Sequence, residues 1–127
     1  MRPPSMRSWP SLLLLGACLK QSPIPGDDTD TSLPAALEDV DCVNAPAVTW
    51  EGWAEGMMRT HCQGCHASTT PNRYGAPEDV TFDSEDNARH FRNRIYQRTL
   101  VDEDMPPAGG LSEDDKTLLT VYLACGL

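Results

Sequence analysis

Apolar side chains recur at helical spacing in three stretches of the chain, which cover about residues 49–61, 84–99 and 112–125. A recurrence every three or four positions is the pattern of an α-helix that buries one face. The three stripes consist of Trp50, Trp53, Met57, Met58 and His61, then Ala88, Phe91 and Ile95, and finally Leu118, Val121, Tyr122 and Cys125. Each stretch therefore predicts a helix, and the simplest role of its apolar stripe is core packing.

Residues at the ends of these stretches support the same boundaries. Thr49, Ser84 and Ser112 precede the stripes and are good N-cap residues. Ser112 and Asp115 have the spacing of a capping box, with Asp in place of the usual Glu. Gly126 is placed to end the last helix.

The segments between the stripes have the composition of loops. Residues 67–82 contain Pro71, Gly75 and Pro77, and residues 101–111 contain the run Met105-Pro106-Pro107-Ala108-Gly109-Gly110. The chain shows no strand–helix alternation. We therefore predict an all-α domain of three to four helices.

The first residues have the features of an export signal. Arg2 and Arg7 precede the apolar run Leu12–Leu15, and the small residues Gly16 and Ala17 follow it. The sequence Leu15-Gly16-Ala17-Cys18 is also similar to a lipobox, in which the cysteine is acylated and becomes the new N-terminus. We predict a signal peptide over residues 1–17 and lipidation at Cys18, with an ordinary signal peptide as the alternative. The mature protein would then be a lipoprotein on the periplasmic side of a membrane.

A polar segment separates this signal from the predicted domain. Residues 19–41 are rich in Pro, Asp, Ser and Thr without an apolar period, a composition that buries too little surface to order itself. We predict a lipidated flexible tether over residues 18–41, with one weak helical turn between Leu33 and Val40. The folded domain is expected over residues 42–127.

Charge and hydropathy exclude several classes of partner. The chain of 127 residues has a net charge of -9, which disfavours binding to nucleic acid or to an anionic membrane surface. No apolar run reaches the roughly 18 residues that a membrane-spanning helix needs. A lipid anchor is therefore the expected membrane contact, because acyl chains attach a protein without crossing the bilayer.

The sequence Cys62-Gln63-Gly64-Cys65-His66 is the feature that predicts chemistry. Cys-x-x-Cys-His is typical of a site where one haem is attached covalently through two thioether bonds and the adjacent His binds the iron. Two intervening residues in a helical turn set the sulfur atoms at the spacing of the two porphyrin vinyl groups. Three alternatives remain open: a thioredoxin-like redox pair, half of a zinc site, and a structural disulfide.

The order of these features resembles that of the small class I cytochromes c. A helix, the Cys-x-x-Cys-His motif, a loop, a second helix, the Met-Pro-Pro loop and a final Leu-Ser-x-x-Asp helix cover about residues 48–125. The resemblance implies haem c attached at Cys62 and Cys65, with His66 as the proximal iron ligand and Met105 as the distal ligand. It also implies a class I cytochrome c fold around one haem.

The residue types support Met105 independently of the resemblance. A thioether sulfur is a soft ligand that suits haem iron, and the two prolines stiffen the loop that carries it. His61 and His90 are the competing distal ligands. His61 adjoins Cys62 and is poorly placed to reach the other face of the ring, and His90 lies between Arg89 and Arg92 as expected for a surface residue.

The resemblance implies two further contacts. In that family a proline carbonyl in the loop after the motif orients the proximal His, a role that falls to Pro77 here, with Pro71 as its rival. The terminal helices of the family pack against each other, which would bring Cys42 and Cys125 close enough for a disulfide. Two separate buried thiols are the alternative to that bond.

A His/Met-ligated iron has both axial positions filled, so its expected work is one-electron transfer and not catalysis. We therefore expect an electron carrier between redox partner proteins. Two alternatives are a haem-binding accessory subunit of a larger oxidoreductase complex and a non-haem thiol-redox or zinc module. The acids on either side of the predicted ligand loop favour a partner with a basic docking face, although a merely solvated acidic surface would have the same composition.

Overall fold

A computed structural model describes residues 32–127 of the chain. The predicted signal peptide, the lipidation site Cys18 and the tether up to residue 31 lie outside the described residues. The described part of the chain contains six α-helices, which are α1 (Ala35–Glu38), α2 (Glu55–His61), α3 (Gln63–His66), α4 (Glu85–His90), α5 (Arg92–Tyr96) and α6 (Glu113–Val121).

Three π-helical turns extend these helices. Trp50–Ala54 leads into α2, Gln97–Val101 continues α5, and Tyr122–Gly126 continues α6. The described residues contain no β-strand, so this part of the chain is all-α, as predicted. Within residues 32–127, every helix is too short or too polar to cross a membrane.

The predicted cap residues begin the helices. The Thr49 hydroxyl accepts a hydrogen bond from the backbone N–H of Gly52 at 3.1 Å, and the Ser84 hydroxyl accepts one from Asn87 at 3.3 Å. Each cap satisfies a backbone donor that has no partner within its helix. The start of the first two predicted helices is therefore confirmed.

The capping box at α6 is also present. The Ser112 hydroxyl accepts from the Asp115 N–H at 3.1 Å, and the Asp115 carboxylate accepts from the Ser112 N–H at 3.2 Å. Hydrogen bonds from the side chain and the backbone of Ser112 lower the pKa of Asp115. The carboxylate stays ionised and complements the positive end of the helix dipole.

The second predicted helix differs from the observed one. The sequence predicts a continuous helix that ends near Thr99, whereas the chain breaks at Phe91, whose φ is -97° and ψ is 16°, and continues to Val101. Ala88, Phe91 and Ile95 are all buried across the break. The apolar period therefore continues through it, and periodicity alone could not reveal the change in backbone conformation.

The core packs the N-terminal helices against the C-terminal one. Met58, Leu119, Tyr122 and Leu123 are fully buried in it. A Cβ atom added at Gly126 would collide with the Val48 carbonyl and the Tyr122 ring. The last turn therefore packs closely on the backbone before α2, and glycine is needed there for space as well as for ending the helix.

The structure joins Cys42 to Cys125, with the sulfur atoms 2.02 Å apart and the Cα atoms 5.5 Å apart. This is the pairing that the family resemblance implied, in place of two separate buried thiols. The bond closes the segment before α2 onto the end of the C-terminal helix. A cross-link over 83 residues contributes about 4 kcal/mol in the chain-entropy account.

The predicted domain boundary at residue 42 is wrong, because the preceding segment belongs to the core. Leu37 on α1 is only 1% exposed, and Leu33 packs against the same cluster. Helix α1 contacts the π-helical turn that ends the chain. A polar composition predicted a tether here, but two leucines are enough to dock one turn of helix once a partner surface exists.

We expect Leu37→Ala to destabilise the protein by about 2 kcal/mol or more, since it removes a fully buried side chain from the core. Urea unfolding of the variant measures this change. Val43→Ala is the matched control, because Val43 is 91% exposed and its loss should cost less than about 0.5 kcal/mol. Equal effects of the two substitutions would contradict the docking of α1.

Candidate functional site

One cavity brings the predicted site residues together. Its volume is about 360 Å³, within the range of about 300–1,000 Å³ that is typical of small-molecule and cofactor sites. Cys62, Cys65, His66 and Met105 all line it. Most of the remaining lining is apolar, as a hydrophobic cofactor requires.

The Cys-x-x-Cys-His motif occupies a tight helical junction. Helix α2 ends at His61 with Cys62 as its C-cap, and the Cys62 carbonyl accepts hydrogen bonds from the N–H groups of Cys65 at 3.1 Å and His66 at 2.9 Å. These bonds form the single turn of α3, which carries both sulfurs to the cavity. Both thiols are unbonded, so this structure has no disulfide within the motif.

A backbone carbonyl orients the His66 ring. The Nδ1 atom of His66 lies 3.0 Å from the carbonyl oxygen of Val80. A carbonyl can only accept a hydrogen bond, so Nδ1 carries the proton, and in the neutral ring the lone pair then lies on Nε2, where it could bind a metal. The ring also packs against Phe82, with the centroids 5.0 Å apart.

The prediction that Pro77 supplies this carbonyl is wrong, and so is its rival Pro71. The Pro77 carbonyl instead accepts from the Arg73 guanidinium at 2.6 Å and from the Val80 N–H at 3.2 Å. The second of these bonds closes a turn that carries the chain past His66. Pro77 therefore shapes the loop and lines the cavity, and the orienting contact falls three residues later.

Sequence reasoning missed Val80 and Arg73. The Val80 contact is made by the backbone, so its side chain type carries no signal of the role. Arg73 lines the cavity and donates to several carbonyl groups of the loop. The sequence does contain a signal for Arg73, because it is a long cationic side chain in a loop next to the motif that contains Pro and Gly. Backbone carbonyl groups in such a loop lack regular hydrogen-bond partners, and an arginine can supply them.

The loop that carries Met105 is tied to two helical segments. The N–H groups of Asp104 and Met105 both donate to the Arg98 carbonyl at 3.1 Å, and the Arg98 side chain pairs with Asp104 at 2.7 Å. On the other side, Lys116 of α6 contacts Glu103 at 2.9 Å. Hydrogen bonds to Glu103 and then Glu113 raise the pKa of Lys116, which keeps this bridge charged.

The competing distal ligands occupy different places. His61 lines the cavity at the end of α2, whereas His90 is exposed and its ring contacts Phe91. Met57 lies on the cavity wall beside the motif, and Met58 is fully buried in the core. Met105 is thus the methionine that a loop remote in sequence from the motif brings to the cavity.

The buried environment of Cys62 disfavours its thiolate form. Burial raises the pKa of Cys62 to about 12. Reactive cysteines in redox proteins have lowered pKa values, because the thiolate is the nucleophile. In residues 32–127, no group of three or more His, Cys, Asp or Glu side chains is close enough together to hold a metal ion on its own.

No family model, curated protein or solved structure matches the chain.

We expect Asp104→Ala to loosen the Met105 loop with little effect on global stability. The Arg98–Asp104 pair is partly exposed, so its loss should change the free energy of unfolding by less than about 1 kcal/mol. Amide hydrogen exchange at Asp104 and Met105 should accelerate, because both N–H groups depend on the position of Arg98. Asp114→Ala removes an equal charge from α6 and should leave these rates unchanged. Unchanged exchange in Asp104→Ala would contradict the role of the ion pair.

Proposed function

We propose that this protein is an exported monohaem c-type cytochrome that carries single electrons between redox partners. In this proposal Cys62 and Cys65 hold haem c through two thioether bonds, and His66 and Met105 are the axial ligands of its iron. A small class I cytochrome c fold and a lipid anchor at Cys18 belong to the same proposal. The protein is then an electron carrier and not an enzyme.

The observation that carries this proposal is the meeting of four residues on one cavity. Cys62, Cys65 and His66 come from the motif, whereas Met105 comes from a loop near the end of the chain. The donor set combines two free thiols, an imidazole and a thioether, which are the groups that c-type attachment and His/Met ligation need. The cavity that they line is mostly apolar, so these residues fit the cofactor.

The His66–Val80 contact adds a second line of support. A His ligand almost always donates its other ring N–H to a carbonyl, a carboxylate or water, which fixes its tautomer and orientation. Here that acceptor is in place at 3.0 Å. The imidazole is therefore held with Nε2 available before any metal binds.

The haem would supply one-electron redox chemistry. The protein chain would set the reduction potential of the haem and the access of water and substrates to it. Cys62 and Cys65 would retain the group through thioether bonds, and His66 and Met105 would bind its iron and leave no position for a substrate. Met ligation favours a higher reduction potential than bis-His ligation. The apolar wall around these ligands limits water and disfavours the more highly charged oxidised site.

The thiol-redox and zinc alternatives have weaker support. A Cys62 pKa of about 12 leaves very little thiolate at neutral pH. Zinc sites of the Cys/His type need four ligands at close range, and the described residues offer no group of even three. The accessory-subunit alternative uses the same haem site, and stable co-purification with a partner enzyme would favour it over a free carrier.

We expect the protein, expressed with a cytochrome c maturation system, to keep haem on a denaturing gel. The Cys62→Ser/Cys65→Ser variant should lose the haem stain, because both thioether bonds are gone. A wild-type protein without covalent haem would refute the proposed function. His90→Ala is the matched control, since His90 is exposed and does not line the cavity.

Met105→Ala should abolish the Met–iron charge-transfer band of the oxidised protein and lower its reduction potential, because the thioether ligand is lost. Near-infrared spectroscopy and a redox titration measure the two changes. Met57→Leu is the control, since it alters the other methionine on the cavity wall with little change in volume. Persistence of the band in Met105→Ala would exclude Met105 as the distal ligand.

We further propose that the partner docks with a basic face near the Met105 loop. Asp102, Glu103 and Asp104 are exposed on that loop, and Glu113 and Asp114 are exposed at the start of α6. Opposite charges on the two proteins would steer their encounter and raise the association rate. Arg98 and Lys116 offset part of this acidic charge.

The Asp102→Asn/Asp114→Asn variant should transfer electrons to a basic redox protein at least about twofold more slowly at low salt, because steering is weaker. Stopped-flow rates as a function of ionic strength measure the effect, and the difference should vanish at high salt. Glu38→Gln/Asp39→Asn makes the same charge change on and beside α1 and is the control. Wild-type rates that do not depend on ionic strength would exclude the docking face.

A further inference from the structure

The Arg73 side chain donates hydrogen bonds to backbone carbonyl oxygens of the loop that follows the motif. Its Nη1 atom donates to Ala67 at 2.6 Å, and its Nη2 atom donates to Pro77 at 2.6 Å and to Val80 at 2.8 Å. Nε lies 3.3 Å from the Ala76 carbonyl. One guanidinium therefore fixes both ends of the loop that leads from His66 to Val80.

Among the described residues, no carboxylate forms an ion pair with Arg73. In the part of the chain that the structure describes, the ion pairs involve other cations, and every hydrogen-bond partner of the Arg73 side chain is a carbonyl group. The half-buried side chain also lines the cavity. A full positive charge therefore lies at the wall of the proposed haem site.

The Val80 carbonyl has two donors. His66 Nδ1 lies 3.0 Å from its oxygen, and Arg73 Nη2 lies 2.8 Å from the same atom. A hydrogen bond from a charged donor is stronger than one from a neutral imidazole, so Arg73 draws electron density from this oxygen. The carbonyl is then a poorer acceptor for His66 than an unshared carbonyl would be.

The strength of the His66 contact matters for a bound metal. A good acceptor at Nδ1 makes the imidazole a stronger electron donor to the metal, and hydrogen bonding beyond the ligands is one of the protein's means of setting a redox potential. A weakened acceptor has the opposite effect. It disfavours the oxidised iron relative to the reduced iron.

We propose that Arg73 is a positioning residue for His66 that raises the reduction potential of the haem through the shared Val80 carbonyl. Arg73 acts through the carbonyl that the imidazole contacts, and its charge weakens the electron donation of that imidazole. The inference rests on the proposed function. It adds a residue that the family resemblance did not implicate.

Arg73→Lys is the decisive variant, because it keeps the charge but cannot reproduce the guanidinium fork that spans the four carbonyl groups. In the holoprotein, the reduction potential of this variant should be lower than that of the wild type. The decrease should change the equilibrium constant for electron exchange with a redox mediator by about threefold to tenfold, and a tenfold change corresponds to about 59 mV for one electron. Arg73→Met should lower it at least as far. Spectroelectrochemical titration measures both.

The His66 Nδ1 proton supplies a readout that a general loss of structure or of charge would not reproduce. In the reduced, diamagnetic protein its NMR resonance should move downfield in Arg73→Lys and Arg73→Met, since the unshared carbonyl accepts a stronger hydrogen bond. Arg94→Met is the matched control. It removes an equal charge from the lining of the same cavity and leaves both bonds to the Val80 carbonyl intact, so the His66 resonance should stay in place.

A wild-type potential and an unshifted His66 resonance in Arg73→Lys, with haem attached and the Met105 band present, would overturn the inference and leave the proposed function intact. Equal decreases of the potential in Arg73→Met and Arg94→Met without a shift of the His66 resonance would also overturn it, because charge alone would then be sufficient. Absence of covalent haem from the wild-type protein would refute the proposed function itself.

Discussion

The hydrogen bond between His66 Nδ1 and the Val80 carbonyl is the contact on which the site depends. It fixes the tautomer of the imidazole and brings two segments together that are 14 residues apart in the chain. Two further bonds join the same segments, since the Phe82 N–H donates to the His66 carbonyl at 2.8 Å and the Gln63 side chain donates to the Phe82 carbonyl at 2.8 Å. The motif is thereby attached to a second stretch of backbone, and the intervening loop forms one wall of the cavity.

The part of the cavity wall formed by the Met105 loop depends on a separate set of contacts. The Met105 loop is held by the backbone and side chain of Arg98 and by Lys116, whereas the motif is held by its own loop. The disulfide and the close packing of Gly126 then join the N-terminal segment to the last helix and close the core behind both. The two parts of the cavity wall are therefore stabilised by separate contacts, one by hydrogen bonds to backbone carbonyl groups and the other by two backbone hydrogen bonds and partly exposed ion pairs.

Most of the helical framework could be predicted from the sequence, because the three predicted stretches begin after the side-chain caps Thr49, Ser84 and Ser112 and each has an apolar stripe, and both features act locally. The meeting of the motif and Met105 on one cavity could also be predicted, since the family resemblance assigns them to one site. The break at Phe91 could not be predicted, because the Phe91 side chain is buried on the same face of the helix with or without the break. The docking of α1 depends on a partner surface formed by the far end of the chain, which the local composition of residues 33–40 does not show.

The orienting carbonyl illustrates a different limit. The family resemblance assigns this role to Pro77, but the acceptor is set by the path of the backbone, which turns between Pro77 and Val80 and is held there by Arg73. Every residue type has a backbone carbonyl, so a change of the side chain at position 80 does not remove the acceptor. The orientation of His66 is consequently encoded in the number of residues between the motif and the turn, and a one-residue insertion or deletion in residues 67–79 would misalign the imidazole more surely than many substitutions there.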